Sequence, residues 1–132
     1  MEFECYTIQE FEKDVEIIVR LIKERGLRFR NVYGPPRGGL VLGVYLSYRL
    51  NIPLLLDAEK VSRETLIVDD IADTGRTLAA FAQRRKFIVT LFYHRQCWFE
   101  PDIWLREKKD AYVIFPWEDA EKEKKKARKS VF

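Results

Sequence analysis

The first half of the chain alternates between two hydrophobic rhythms. In "IQEFEKDVEIIVRLIKERG", residues 8–26, Phe11, Val15, Ile18, Val19 and Ile22 recur at helical spacing, and Gly26 offers a stop. "FRNVYG" predicts a short strand ending at Gly34. "GGLVLGVYLSYRLN" predicts a buried helix that begins straight after a glycine-rich turn. "IPLLLD" predicts a strand entered through Pro53, and "ETLIVDD" a continuously apolar one, as a parallel sheet covered on both faces requires. "GRTLAAFAQR" predicts a helix and "KFIVTLFYH" a further strand, with shorter strands at "DIWLRE" and "AYVIF". Strands alternating with helices predict an α/β fold with a mainly parallel central sheet flanked by helices. No repeat, linker or composition break divides the chain, so residues 1–132 read as one domain with a basic last helix or tail over about 118–132. Ligands collect at the carboxyl ends of parallel strands. Both glycine-rich turns, at residues 34–39 and 70–77, fall at such ends.

The second turn carries the chemistry. In "TLIVDDIADTGRTLAAF", residues 65–81, a buried strand runs into Asp69 and Asp70, and Asp73 follows before Thr-Gly-Arg-Thr. Backbone amides at a helix start bind phosphate well. Gly75 permits close approach, Thr74 and Thr77 add hydroxyls, and Arg76 adds charge. Ionised Asp69 and Asp70 only accept hydrogen bonds, which suits sugar hydroxyls or hydrated Mg²⁺. One strand end can therefore hold a phosphate and a ribose side by side, the groups of a sugar phosphate. Other readings fit less of the stretch. There is no Gly-Lys-Ser/Thr for a Walker A loop. Asp-Thr-Gly also occurs in all-β aspartic proteases, but here a helix follows. A Mg²⁺-binding receiver domain leaves the Thr-Gly-x-Thr cradle unexplained. A plain helix cap by Asp73 or Thr74 leaves Asp69 and Asp70 unexplained.

Composition narrows the class without naming a partner. At 132 residues and 47% hydrophobic, the chain can bury one core. No apolar run is long enough to span a membrane, and the polar start "MEFECYTIQEFEKD" argues against a targeting peptide. Cys5 and Cys97 have no metal-ligand spacing and read as free thiols in a reducing cytoplasm. The net charge of +3 is concentrated in "EKEKKKARK", residues 121–129, which lacks interleaved aromatics. That fits a solvated helix with cations at its C-terminus better than a nucleic-acid or membrane patch. Abundant Lys, Arg and Glu beside few Asn and Gln is compatible with a thermophilic source.

Three stretches resemble the type I phosphoribosyltransferases. "LIVDDIADTGRTL" is similar to their binding motif for phosphoribosyl pyrophosphate (PRPP). "VYGPPRGGLVLGVYLSYRL" resembles the pyrophosphate loop of the purine branch, and "AYVIFPWED" the C-terminal segment of the xanthine-guanine and archaeal-type purine enzymes. The matches lie in the family's order and cover most of the chain. The resemblance implies a Mg²⁺-dependent transferase of purine salvage that makes a nucleoside monophosphate and pyrophosphate from PRPP and a purine base. It implies that Asp69 and Asp70 hold the ribose hydroxyls, partly with Mg²⁺, and that Asp73 is the general base near the purine N7. Asp73, Thr74, Gly75, Arg76 and Thr77 would cradle the 5′-phosphate, and Arg37, Gly38 and Gly39 the pyrophosphate. A non-proline cis peptide would fall at Pro36–Arg37. Tyr112 would stack on the base, with the Val113 carbonyl facing its 2-substituent. A cytoplasmic homodimer or larger homo-oligomer is implied as well, for which Trp98, Phe99 and Trp104 could supply an interface or simply core.

Two departures keep two functions open. Where the family commonly has Lys-Pro, the lysine on the purine 6-oxo group, this chain has His94 and Arg95. His94 can donate to a 6-oxo group, and Arg95 could substitute if it bends back. The family's long lid before the PRPP motif is replaced by "DAEKVSRE", residues 57–64, a plain turn length. Lys60 and Arg63 on it are long enough to extend toward pyrophosphate; exposed charge is the simpler reading. The intact three-aspartate motif favours an enzyme, with 6-oxopurines (guanine, xanthine or hypoxanthine) as preferred bases. The short turn and His94 favour a non-catalytic PRPP- or nucleotide-binding regulatory protein on the same fold.

Overall fold

The structure, a computed structural model, describes residues 1–130. Five strands form the central sheet: β2 (Asn31–Tyr33), β3 (Leu54–Leu55), β4 (Thr65–Ala72), β5 (Phe87–Tyr93) and β6 (Ile103–Glu107). Their order is β3-β2-β4-β5-β6, and every pairing is parallel. A separate parallel pair joins β1 (Phe3–Cys5) to β7 (Tyr112–Ile114). The helices are α1 (Ile8–Glu24), α2 (Leu40–Leu50), α3 (Ala79–Gln83) and α4 (Ala120–Lys129).

Alternation along β4 and β5 divides the core in two. Leu66, Val68, Val89 and Leu91 pack with Phe11, Val15 and Ile18 of α1 and Leu42 and Leu46 of α2. Ile67 and Ile88 pack on the other face with Leu78 and Cys97, and Phe81 of α3 lies against them. Both faces are covered, which is why the centres of these strands carry unbroken apolar runs, Leu66–Val68 and Phe87–Val89. Thr7 caps α1 in a reciprocal capping box with Glu10, and Arg25 with Gly26 (φ 64°) ends it.

Several boundaries differ from the sequence-based expectation. The "FRNVYG" strand shrinks to Asn31–Tyr33 and "IPLLLD" to Leu54–Leu55 at the sheet edge. The segment 57–64 is short, as expected, and holds one 3-10 turn, Ala58–Lys60. The helix predicted at 75–84 begins only at Ala79, because Gly75 takes φ 89° and residues 73–78 curl into a turn. Helix α4 is N-capped by Asp119, carries Lys126, Arg128 and Lys129 in its last turn, and buries Ala127. Residues 131 and 132 of the basic segment lie outside the described residues.

One buried polar network ties α1 to the sheet. Asp14 is buried in α1. Its Oδ2 accepts from the Tyr6 hydroxyl at 2.5 Å and from Arg106 Nε at 2.6 Å. Arg106 also donates to Glu10 at 3.1 Å and lies over the Tyr6 ring. Burial and the Asp14 carboxylate push the Tyr6 hydroxyl far above the usual phenol range, so it stays a donor. Asp14→Asn keeps the shape and one acceptor but removes the charge that faces Arg106. It should cost about 1–3 kcal/mol of unfolding free energy, read from urea midpoints. An unchanged midpoint would show that the network adds nothing to stability.

Candidate functional site

Strand β4 delivers the carboxylates. It runs on to Ala72, so Asp69 and Asp70 are strand residues and Asp73 opens the following turn. Asp69 is buried, and its Oδ1 accepts from the Asp70 amide at 2.9 Å. Desolvation raises the proton affinity of both carboxyls, and at Asp69 the neighbouring Asp70 charge adds to it. Among the described residues no lysine or arginine pairs with either. A buried and a half-buried carboxyl therefore stand side by side with no protein cation between them, an acceptor pair that could hold a cation or hydroxyl donors.

The first glycine-rich turn packs directly on this strand end. A Cβ on Gly38 would lie 2.8 Å from Asp70 Oδ2, and one on Gly39 2.5 Å from the Val68 carbonyl oxygen. Glycine is required here by close approach rather than by backbone angle. The Pro36–Arg37 peptide is cis, as the resemblance implied.

Residues 69–78 line a cavity of about 190 Å³ with Pro35, Pro36 and Gly38. All of Asp69, Asp70, Asp73, Thr74, Gly75, Arg76 and Thr77 are among its walls, so the turn gathers the sequence-predicted phosphate and ribose groups in one place. The 73–78 part of this wall is a turn, not a helix start. The plain helix cap at Asp73 or Thr74, already the weaker reading, is absent: α3 begins after Leu78 without a side-chain cap. Thr74 Oγ1 instead accepts from the Arg76 amide at 3.3 Å. Gly75 is packed from behind: a Cβ there would meet Trp98 Nε1 at 2.7 Å and Cys97 Sγ at 3.1 Å.

A second, larger cavity of about 860 Å³ adjoins the first through their shared wall, Gly38. Arg37 and Tyr112 line this one, with Trp117, Glu118 and the α4 residues Lys122, Glu123 and Lys126. The resemblance assigns Arg37 to the pyrophosphate and Tyr112 to the base, and both stand on the wall of this adjoining cavity. The Tyr112 hydroxyl donates to Glu123 at 2.9 Å and its ring meets Phe3 edge-on. Burial, then Glu123, pushes this phenol up to about 12. Tyr112 donates its amide to Glu2 and Ile114 accepts from Tyr6, so Val113 presents its carbonyl away from β1, as alternation in a parallel ladder demands. Glu118, which sequence reasoning missed, accepts from the Phe115 amide. Burial, and more weakly Glu123 and Asp70, raises its proton affinity.

The turn after β5 resolves the His-Arg substitution. Arg95 does not bend toward the site: it is exposed and donates to Glu107 at 3.0 Å. His94 is half-buried, and its Nδ1 accepts from the Gln96 amide at 3.0 Å, which leaves Nε2 as the donor of the neutral ring. Gln96, also unforeseen, donates Nε2 to Asp73 Oδ1 at 2.6 Å. Lys60 and Arg63 are exposed and line neither cavity. The aromatics divide: Trp98 is 56% exposed, whereas Trp104 donates to Glu100 and lies against Tyr93. Cys5 and Cys97 are both free, the first exposed and the second buried.

No family model and no curated protein matches this sequence. Solved structures do match its fold. A purine phosphoribosyltransferase from Pyrococcus horikoshii superposes with a TM-score of 0.75 at 22% identity, over 90% of this chain and 95% of that one. A xanthine-guanine-hypoxanthine phosphoribosyltransferase from Helicobacter pylori gives 0.75 at 19% identity, over 95% and 99%. A hypothetical protein from Neisseria gonorrhoeae, solved with ppGpp bound, gives 0.67 at 14% identity, over 98% of each chain. The order of strands and the two glycine turns meeting at one sheet end have the same explanation: the chain has the single-domain fold of the type I phosphoribosyltransferases.

Proposed function

We propose that this protein is a purine phosphoribosyltransferase, transferring the 5-phosphoribosyl group of PRPP to a 6-oxopurine and releasing pyrophosphate. The observation that carries the reading is the convergence of Asp69, Asp70, Asp73 and the 74–77 turn on one cavity wall, beside a turn with glycines that admit a ligand's close approach. The 74–77 amides and hydroxyls would take the 5′-phosphate. Asp69 and Asp70 would take the ribose hydroxyls together with Mg²⁺. The donor set fits that ion: two adjacent carboxylates are short of a full cage, and Mg²⁺ is commonly held by one or two carboxylates plus substrate oxygens and water. Bound there, Mg²⁺ would neutralise charge on the departing pyrophosphate. Arg37 and Gly38 would hold the same group from the adjoining cavity. Asp73 would accept the purine proton as the base attacks C1′, and His94 Nε2 would donate to the 6-oxo oxygen. Tyr112 would meet the base from the second cavity, and the Val113 carbonyl, which faces away from β1 but lines neither cavity, would meet its 2-substituent. We place the protein in the cytoplasm as a homo-oligomer acting on small molecules, without membrane or nucleic acid.

The test is turnover of purified protein with PRPP, Mg²⁺ and each of hypoxanthine, guanine, xanthine and adenine. Formation of a nucleotide from a 6-oxopurine supports the reading; adenine alone as substrate would reverse the assigned role of His94. The second reading, a nucleotide-binding protein without turnover, is favoured by the short 57–64 connection and by the ppGpp held by the Neisseria protein. Tight binding of PRPP or a guanine nucleotide with no product from any base would establish it.

A further inference from the structure

We propose that Gln96 is a positioning residue for Asp73, an inference that builds on the transferase reading above. The contact spans 23 positions of sequence and joins the turn after β5 to the turn after β4. The two strands are paired up to Ala72 and Tyr93, and the His94 amide extends the ladder by donating to the Ala72 carbonyl. The β5 turn is then closed on itself: the Cys97 amide donates to the His94 carbonyl at 2.9 Å, and the Gln96 amide to His94 Nδ1. This hydrogen-bonded turn touches its neighbour at two points. Cys97 and Trp98 pack against Gly75, and the Gln96 side chain reaches Asp73.

The chemical consequence lies in how Asp73 is divided. Its Oδ1 accepts the Gln96 amide at 2.6 Å, which leaves Oδ2 to receive a proton from a base. A carboxylate at the start of an exposed turn would otherwise sample several rotamers, only some of which meet the substrate. Gln96 removes that freedom with a donor that carries no charge of its own. The same residue, through its backbone N–H, orients the His94 ring. One residue therefore sets the geometry of both groups that would face the purine.

The experiment compares Gln96→Ala and Gln96→Glu with the wild type in steady-state turnover. Glutamate preserves the shape and packing of the side chain but lacks the N–H donor at neutral pH and faces Asp73 with a like charge. Both variants should lose about tenfold or more in kcat, with KM for PRPP unchanged and Gln96→Glu no better than Gln96→Ala. Wild-type kcat in Gln96→Glu would mean that only shape matters and would overturn the proposal, as would full activity of Gln96→Ala. A second readout needs no substrate. In ¹H–¹⁵N spectra the Gln96 side-chain amide protons should be shifted by the carboxylate contact and return to free positions in Asp73→Ala. Unshifted wild-type resonances would refute the contact itself. If the wild type turns over no base, the transferase reading and the kinetic role fall together, and the amide resonances decide the contact alone.

Discussion

Asp73→Asn is expected to lower kcat by about 10²–10⁴-fold while PRPP affinity stays within about twofold. Asparagine has nearly the shape of aspartate, and its Oδ1 can still accept the Gln96 amide that holds Asp73 Oδ1 at 2.6 Å. What disappears is an oxygen able to take a proton from the purine. On the proposed reading the other ribose and phosphate ligands, Asp69, Asp70 and the 74–77 turn, are untouched and asparagine keeps the shape of Asp73, so PRPP has little reason to bind more weakly. Kinetics and PRPP titration of the same preparation separate the two effects. Turnover unchanged by the substitution would remove Asp73 from the mechanism, and the proton would need another acceptor among groups near the site. A parallel loss of PRPP affinity would instead place Asp73 with the phosphate ligands.

The legible part of this site was local. Asp69, Asp70, Asp73 and Gly75 stand within seven positions of one another, on a strand that had to be buried and a turn that had to follow it. Any fold that ends that strand at a sheet edge brings them together, so the sequence sufficed. The turn's brace was not legible, because Gln96 and Trp98 reach it from the next strand, and nothing in "HRQCWF" marks a polar side chain as bound for a carboxylate. The same holds for Asp14 and Arg106, separated by 92 positions, although Asp14 gave a faint signal. It sits three residues after Phe11 and four before Ile18, on the apolar face of α1, where an unpaired carboxylate would be costly. Strand β1, "FEC", was missed because a three-residue pairing with β7 at the edge of the fold needs no apolar run. The length of α3 was misjudged because "GRTLAAFAQR" has helical propensity throughout, whereas the left-handed Gly75 and the curl of residues 73–78 follow from tertiary packing.

Asp69→Asn should stabilise the empty protein and weaken its hold on ligand. Asp69 is 4% exposed and lies beside Asp70, and in the folded chain desolvation, then the Asp70 charge, raises its proton affinity. In the unfolded chain the carboxyl titrates near its ordinary value of about 4. Folding therefore binds a proton tightly, and the stability tied to that proton is complete below about pH 4 and declines as pH rises toward the raised folded value. Asparagine is neutral at every pH and can keep the bond from the Asp70 amide to Oδ1. The variant should gain about 1–3 kcal/mol over the wild type near neutral pH, and the gain should shrink to nothing as pH falls to about 4. Ligand reverses the order. On the proposed reading PRPP and Mg²⁺ meet the ionised carboxylate, so the variant should bind about 10- to 100-fold more weakly, and saturating ligand should raise the wild-type Tm more. Thermal melts across pH, with and without PRPP and Mg²⁺, show both halves. A variant less stable than the wild type at every pH would mean that Asp69 is already paid for within the empty fold; a variant that binds PRPP normally would move the ribose contact to Asp70 alone.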